Sequence, residues 1–110
     1  MIINKTEKYT HIKPGQYSVN QFITKLQNKQ PEFIEEHIII DFSEKININI
    51  KEILLFLNMS VLHYQNDKSF VIVCNGINIS DVPEEINVVP TFVEALDVLE
   101  MEAIERDLGF

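Results

Sequence analysis

Six polar side chains crowd the stretch Asp41-Phe42-Ser43-Glu44-Lys45-Ile46-Asn47-Ile48-Asn49: Asp41, Ser43, Glu44, Lys45, Asn47 and Asn49. An acid, a hydroxyl, two further charges and two amides can recognise another molecule through hydrogen bonds. The preceding run, His37-Ile38-Ile39-Ile40, is apolar and β-branched, so Asp41 falls at the carboxyl end of a strand. In open parallel sheets that end is where ligands and partners bind. The stretch therefore reads as a recognition loop. The plainer alternative is an acid that solvates a strand end or caps the next turn, followed by a polar loop and an Asn helix cap.

Groups that would support bond-making chemistry are scattered. His11, His37 and His63 have no HxH or HExxH spacing, and they read as surface or boundary residues in a turn, before a strand and near a helix end. Cys74 ends an apolar run and needs no role beyond that of a small buried hydrophobe. One cysteine makes neither an intramolecular disulfide nor a zinc cluster. The glycines at 15, 76 and 109 are isolated, so there is no phosphate-binding loop. No catalytic residue, metal site or cofactor is expected. A catalytic domain using Asp41 or Cys74 is the third-ranked reading.

The second group of interest is acidic. Residues 1–80 hold eight acids and eight bases, whereas residues 81–110 hold nine acids and Arg106 alone. The formal charge of −8 thus sits entirely in the last thirty residues. Glu94, Asp97, Glu100, Glu102, Glu105 and Asp107 are read as an acidic docking face on one helix, or as a merely solvated face. Glu105 and Asp107 lie near the negative end of that helix, where they oppose its dipole. Met101 and Ile104 stand among these acids, as the apolar centre of a small interface or as cover for a sheet edge. The acidic balance argues against direct nucleic-acid binding, which needs clustered Lys and Arg, and against an anionic membrane surface. No apolar run approaches the ~20 residues of a membrane-spanning helix. The N-terminal stretch lacks the apolar core of a signal peptide. A cytoplasmic protein is expected.

The elements that must position these groups are set by caps and periodicity. Ser18…Gln21, Asn49…Glu52 and Thr91…Glu94 each place a capping side chain three residues before Glu or Gln. The first helix is predicted from about Val19 to Gln30, ended by Pro31, with Phe22, Ile23 and Leu26 inward. The second runs from about Ile50 to Tyr64, with Ile53, Leu54, Leu57 and Val61 inward. The third runs from Phe92 to Leu108, with Phe92, Leu96, Leu99 and Ala103 inward and Gly109 as its stop. Strands are predicted near His37–Phe42, Ser69–Cys74 and Ile86–Val89. Met1–Tyr9 supplies an edge strand or hairpin, with Pro14-Gly15 as the turn. The expected fold is a single α/β domain over residues 1–110: a small, mostly parallel sheet with about three helices, mainly on one face.

This order of elements, with Asp41-Phe42-Ser43 before a capped helix, a Lys68–Val73 strand and Pro90-Thr91 leading to Glu94-Ala95, resembles the STAS fold of sulfate transporters and anti-sigma-factor antagonists. The resemblance covers most of the chain. It implies a non-enzymatic regulatory or protein-interaction module whose partner is an anti-sigma-like kinase domain. In phosphorylatable members a Ser or Thr followed by Gly opens the helix after Asp-x-Ser, where orphan N–H groups favour an anion. Here the matching positions are Asn47 or Ile48, and Asn49 stands in place of the glycine. Ser43 matches the structural serine of the motif. A switch worked by phosphorylation at the usual position is therefore not expected, and the resemblance instead implies a constitutive binding module or a diverged member with another partner. The ending from Asn87 to Phe110 also resembles a family of small Bacteroidetes proteins encoded beside ribonuclease Z and often carrying its name. The zinc motif of that enzyme is absent, so the label would be a neighbour's. The alternative function is an accessory to ribonuclease Z and RNA processing that is not itself a nuclease.

Overall fold

The β-branched runs form the centre of the sheet. In a computed structural model that describes residues 1–44 and 48–109, Ile38–Asp41 is β3 and Phe70–Val73 is β4, and every residue of both is buried. Continuous burial is what continuous hydrophobicity predicts for strands covered on both faces. β1 (Ile2–Lys5) and β2 (Thr10–Lys13) pair antiparallel, β2 to β5 are parallel neighbours, and β5 is Asn87–Val89. The strand order is β1-β2-β3-β4-β5. The helices are α1 (Val19–Phe33), α2 (Ile50–Leu54), α3 (Leu57–Gln65) and α4 (Phe92–Asp107). The fold is thus α/β with a five-stranded, mostly parallel sheet.

Strand parity divides the core. Ile12, Ile38, Ile40, Phe70 and Ile72 face α1, α2 and α3, and they meet Phe22, Leu26, Ile53, Phe56 and Met59. Ile39, Val71 and Val73 face the other way and are covered by α4 through Ala95, Phe92, Leu96 and Leu99. Three helices on one face and one on the other match the expected one-sided packing.

Four local expectations need correction. Pro31 does not end α1, which continues to Phe33 and buries that ring. Its last carbonyls are satisfied from α3 and the residue after it: a His63 ring nitrogen lies 3.2 Å from the Phe33 oxygen, and the Asn66 amide donates to Ile34 at 2.7 Å. The other His63 ring nitrogen meets the Met59 carbonyl at 2.9 Å, and the residue is 1 % exposed, so it is a core residue rather than a boundary one. Second, the single helix predicted for 50–64 is broken. The N–H groups of Leu55 and Phe56 bond three residues back, to Glu52 and Ile53. This tighter turn rotates α3 relative to α2, so that Phe56, Met59, Ser60 and His63 are buried while Leu54 is exposed and Leu57 and Val61 are half-buried. Third, Pro14-Gly15 lies between β2 and α1, whereas the hairpin closes at Thr6–Tyr9. The Thr6 hydroxyl accepts the N–H groups of Lys8 and Tyr9 there, a turn without glycine or proline punctuation. Fourth, Ala103 is exposed and Ala95 is the buried alanine of α4.

Candidate functional site

Parallel pairing of β2 with β3 decides what surrounds Asp41. His11 lies opposite Ile39, and both point to the α4 side of the sheet, as does Asp41 two residues on. The His11 Nε2 atom is 2.7 Å from Asp41 Oδ2. The Ser43 N–H donates to the other carboxylate oxygen at 2.8 Å. Phe92, the first residue of α4, stacks on the His11 ring at 4.5 Å between centroids, and Tyr9 meets Phe92 edge-on at 5.8 Å. His11 is therefore a β2 residue under a helix, not a turn residue.

Asp41 is 5 % exposed. Burial alone would raise its pKa, but the hydroxyl and N–H of Ser43 and the His11 ring outweigh that penalty and hold the carboxyl below its ordinary range. The carboxylate is charged and both its oxygens are occupied. Two residues further along β2, Lys13 Nζ lies 3.3 Å from the Glu44 carboxylate. Two β2 side chains thus brace the start of the loop after β3, with Asp41 turned inward and Ser43 and Glu44 exposed.

The far end of the loop is also fixed. Asn49 Oδ1 accepts the Glu52 N–H at 3.0 Å, and Glu52 reaches back to the Asn49 N–H at 3.1 Å, a complete capping box. The Asn49 side chain serves the helix it opens. Lys45 and Asn47 lie outside the described residues. Sequence reasoning does not single out His11 or Lys13 as partners of this loop. Thr10-His11-Ile12-Lys13 is too short to announce its register, and only its pairing with β3 reveals the contact.

The acidic residues of α4 separate into two sets. Glu94, Asp97, Glu100, Glu105 and Asp107 are exposed. Glu102 departs from the expected docking face, because it points inward. The Asn87 amide donates to it at 3.2 Å, and Arg106 lies 3.8 Å away. Arg106 in turn donates to the Ser69 hydroxyl at 3.0 Å. Glu102 also borders a cleft of about 450 Å³, with Ser60, Tyr64, Lys68 and Asn87, at the amino ends of β4 and β5. That end of the sheet is opposite the Asp41 loop.

Cys74 is 3 % exposed, and burial, reinforced by the Glu52 charge, pushes its thiol upward, away from thiolate chemistry. Among the described residues no group of three His, Cys, Asp or Glu side chains converges to hold a metal, and no helix is long and apolar enough to cross a membrane. The site is best described as the two ends of a loop on an α/β sheet, the first held by hydrogen bonds around one buried carboxylate and the second by a helix cap. Neither family models nor curated proteins give a match to this chain.

Proposed function

We propose that the chain is a non-enzymatic STAS-like interaction module that binds a regulatory protein through the loop between β3 and α2. One observation carries this reading. Both oxygens of Asp41 are committed to Ser43 and His11, so the only buried carboxylate at the carboxyl end of the described parallel strands fixes the first residues of the loop. A carboxylate whose pKa is held low by its donors is a weak general base. Ser43 and Glu44, just after it, are presented to solvent. No hydroxyl stands at residues 47–49, where the resemblance would place a phosphate acceptor. Binding is therefore constitutive in this reading, and the partner is an anti-sigma-like kinase domain.

Calorimetric titration of the purified protein against such a domain from the same cell tests it. Saturable binding without turnover is expected, weakened about tenfold or more by Ser43→Ala with Glu44→Ala. Absence of binding, or binding indifferent to these substitutions, rejects the reading. The exposed acids of α4 favour a second reading, an accessory that contacts a basic surface of ribonuclease Z rather than RNA. Co-elution with that nuclease and a changed rate of tRNA-precursor cleavage would select it.

A further inference from the structure

Helix α4 is apolar on two opposite faces. Its inward face is accounted for by the sheet. On the outward face Val93, Met101, Ile104 and Leu108 are 67 %, 60 %, 59 % and 67 % exposed. At 100° per residue these four fall within one narrow stripe, and the stripe lies opposite buried Ala95. Asp97 sits within it. Glu94 and Glu105 border one side, Glu100 and Asp107 the other. Arg106, the only base of the helix, is turned away to Ser69 and Glu102. A single exposed leucine needs no explanation, but four large apolar side chains aligned over the length of a helix do.

We infer that the outer face of α4 docks a basic amphipathic helix of a partner protein. The stripe supplies apolar anchors at helix-in-groove spacing, and the acidic borders demand lysines or arginines beside the partner's own apolar row. The same charges select among occupants. A second copy of this face would set five carboxylates against five, and an anionic membrane would be repelled in the same way. Glu105 and Asp107 stand against the helix dipole, which costs stability and is not needed to shield the stripe from water. The β3–α2 loop has no part in this contact, so either surface can fail its test without affecting the other.

The test is a titration of the isotope-labelled protein with a synthetic helical peptide of about 18 residues, leucines at i, i+3, i+4 and i+7 between lysines. Saturable shifts confined to the outer residues of α4 are expected, with affinity falling steeply as salt rises. Met101→Glu with Ile104→Glu should weaken binding by about tenfold or more while circular dichroism stays native. A glutamate version of the peptide should not bind. The inference is overturned if the lysine peptide gives no saturable shifts, if the shifts fall on other surfaces, or if the double variant binds as well. Equal binding of a peptide with scrambled leucine positions overturns it too, since charge alone would then suffice. Self-association abolished by the double variant would overturn it by assigning the face to a second copy.

Discussion

Two side chains contribute to the pH response of the domain below neutrality, and they act in different windows. His37 Nδ1 accepts the Ser69 N–H at 3.0 Å, which only the neutral ring can do. Burial lowers its pKa, and the Arg106 and Lys68 charges add to the effect. A folded pKa below the unfolded value of 6.5 means that the unfolded chain binds the proton first. Stability from this group is therefore present above pH 6.5 and is lost as pH falls through the lower, folded pKa. His37→Asn keeps an acceptor for Ser69 but does not titrate. Its urea midpoint should be flatter between about pH 7.5 and 5.5 than that of the parent, and an unchanged slope would assign the effect to another group. Asp41 acts in the same direction lower down. Its carboxyl is depressed below 3.8, so its contribution is complete above that value and disappears as pH falls through the folded pKa. Removing the group costs more than its titration. Asp41→Ala leaves the Ser43 N–H and the buried side of His11 without an acceptor, and should cost about 2–3 kcal/mol in chemical denaturation. A cost within measurement error would show that water replaces the carboxylate and that it does not fix the start of the loop.

Elements are legible in the sequence where the signal is local, and obscure where it depends on a neighbour. The strands β3 and β4 and the start of each capped helix rest on runs of a few residues, and Ser18, Asn49 and Thr91 all accept the N–H three residues on. The end of α1 is not legible. Pro31 is a breaker in isolation, yet the carbonyls beyond it are met by His63 and Asn66, some thirty residues away. The break between α2 and α3 is hidden for a similar reason. Nothing between Ile50 and Tyr64 punctuates a helix, and the tighter turn is favoured because it carries Phe56 into the core. Of the candidate site, Asp41 and its loop can be read from a strand end, but His11 and Lys13 cannot, since register between parallel strands is a tertiary property. Phe56 tests the packing argument directly. It is fully buried between Phe42 and Phe70, so Phe56→Ala should cost about 3–5 kcal/mol. Leu55→Ala, one residue earlier and half exposed, should cost well under half as much. Equal losses would mean that the tighter turn does not single out Phe56 as the side chain carried into the core.

At the scale of the whole molecule the charge of −8 is a polarity rather than a background. The body through residue 80 is balanced and ties several of its charges locally, as in Lys5–Glu36 and Lys13–Glu44. Most of the excess lies on α4, after Asp81, Glu84 and Glu85, and five of the helix's acids surround exposed apolar residues with no ion pair among the described residues. Glu105 and Asp107 occupy the last turn, where the helix presents partially negative carbonyls. Both residues therefore reduce stability, and replacing them should stabilise the domain. Glu105→Lys with Asp107→Lys places cations at that end and relieves repulsion along the helix. The gain should be on the order of 0.5 kcal/mol per site at low ionic strength, read as a higher urea midpoint. It should shrink in molar salt, where the Debye length falls to about 3 Å. The same double variant should bind a lysine-rich amphipathic peptide less well, because it removes acids from both borders of the stripe. Opposite movements of stability and binding are the diagnostic result: a domain that becomes more robust while its outer helix loses a basic partner has kept those acids for the contact. If stability fell, the dipole argument would fail. If stability rose and peptide binding did not change, the two acids would have no part in docking, and the apolar stripe would have to recognise its partner through Glu94, Asp97 and Glu100 alone.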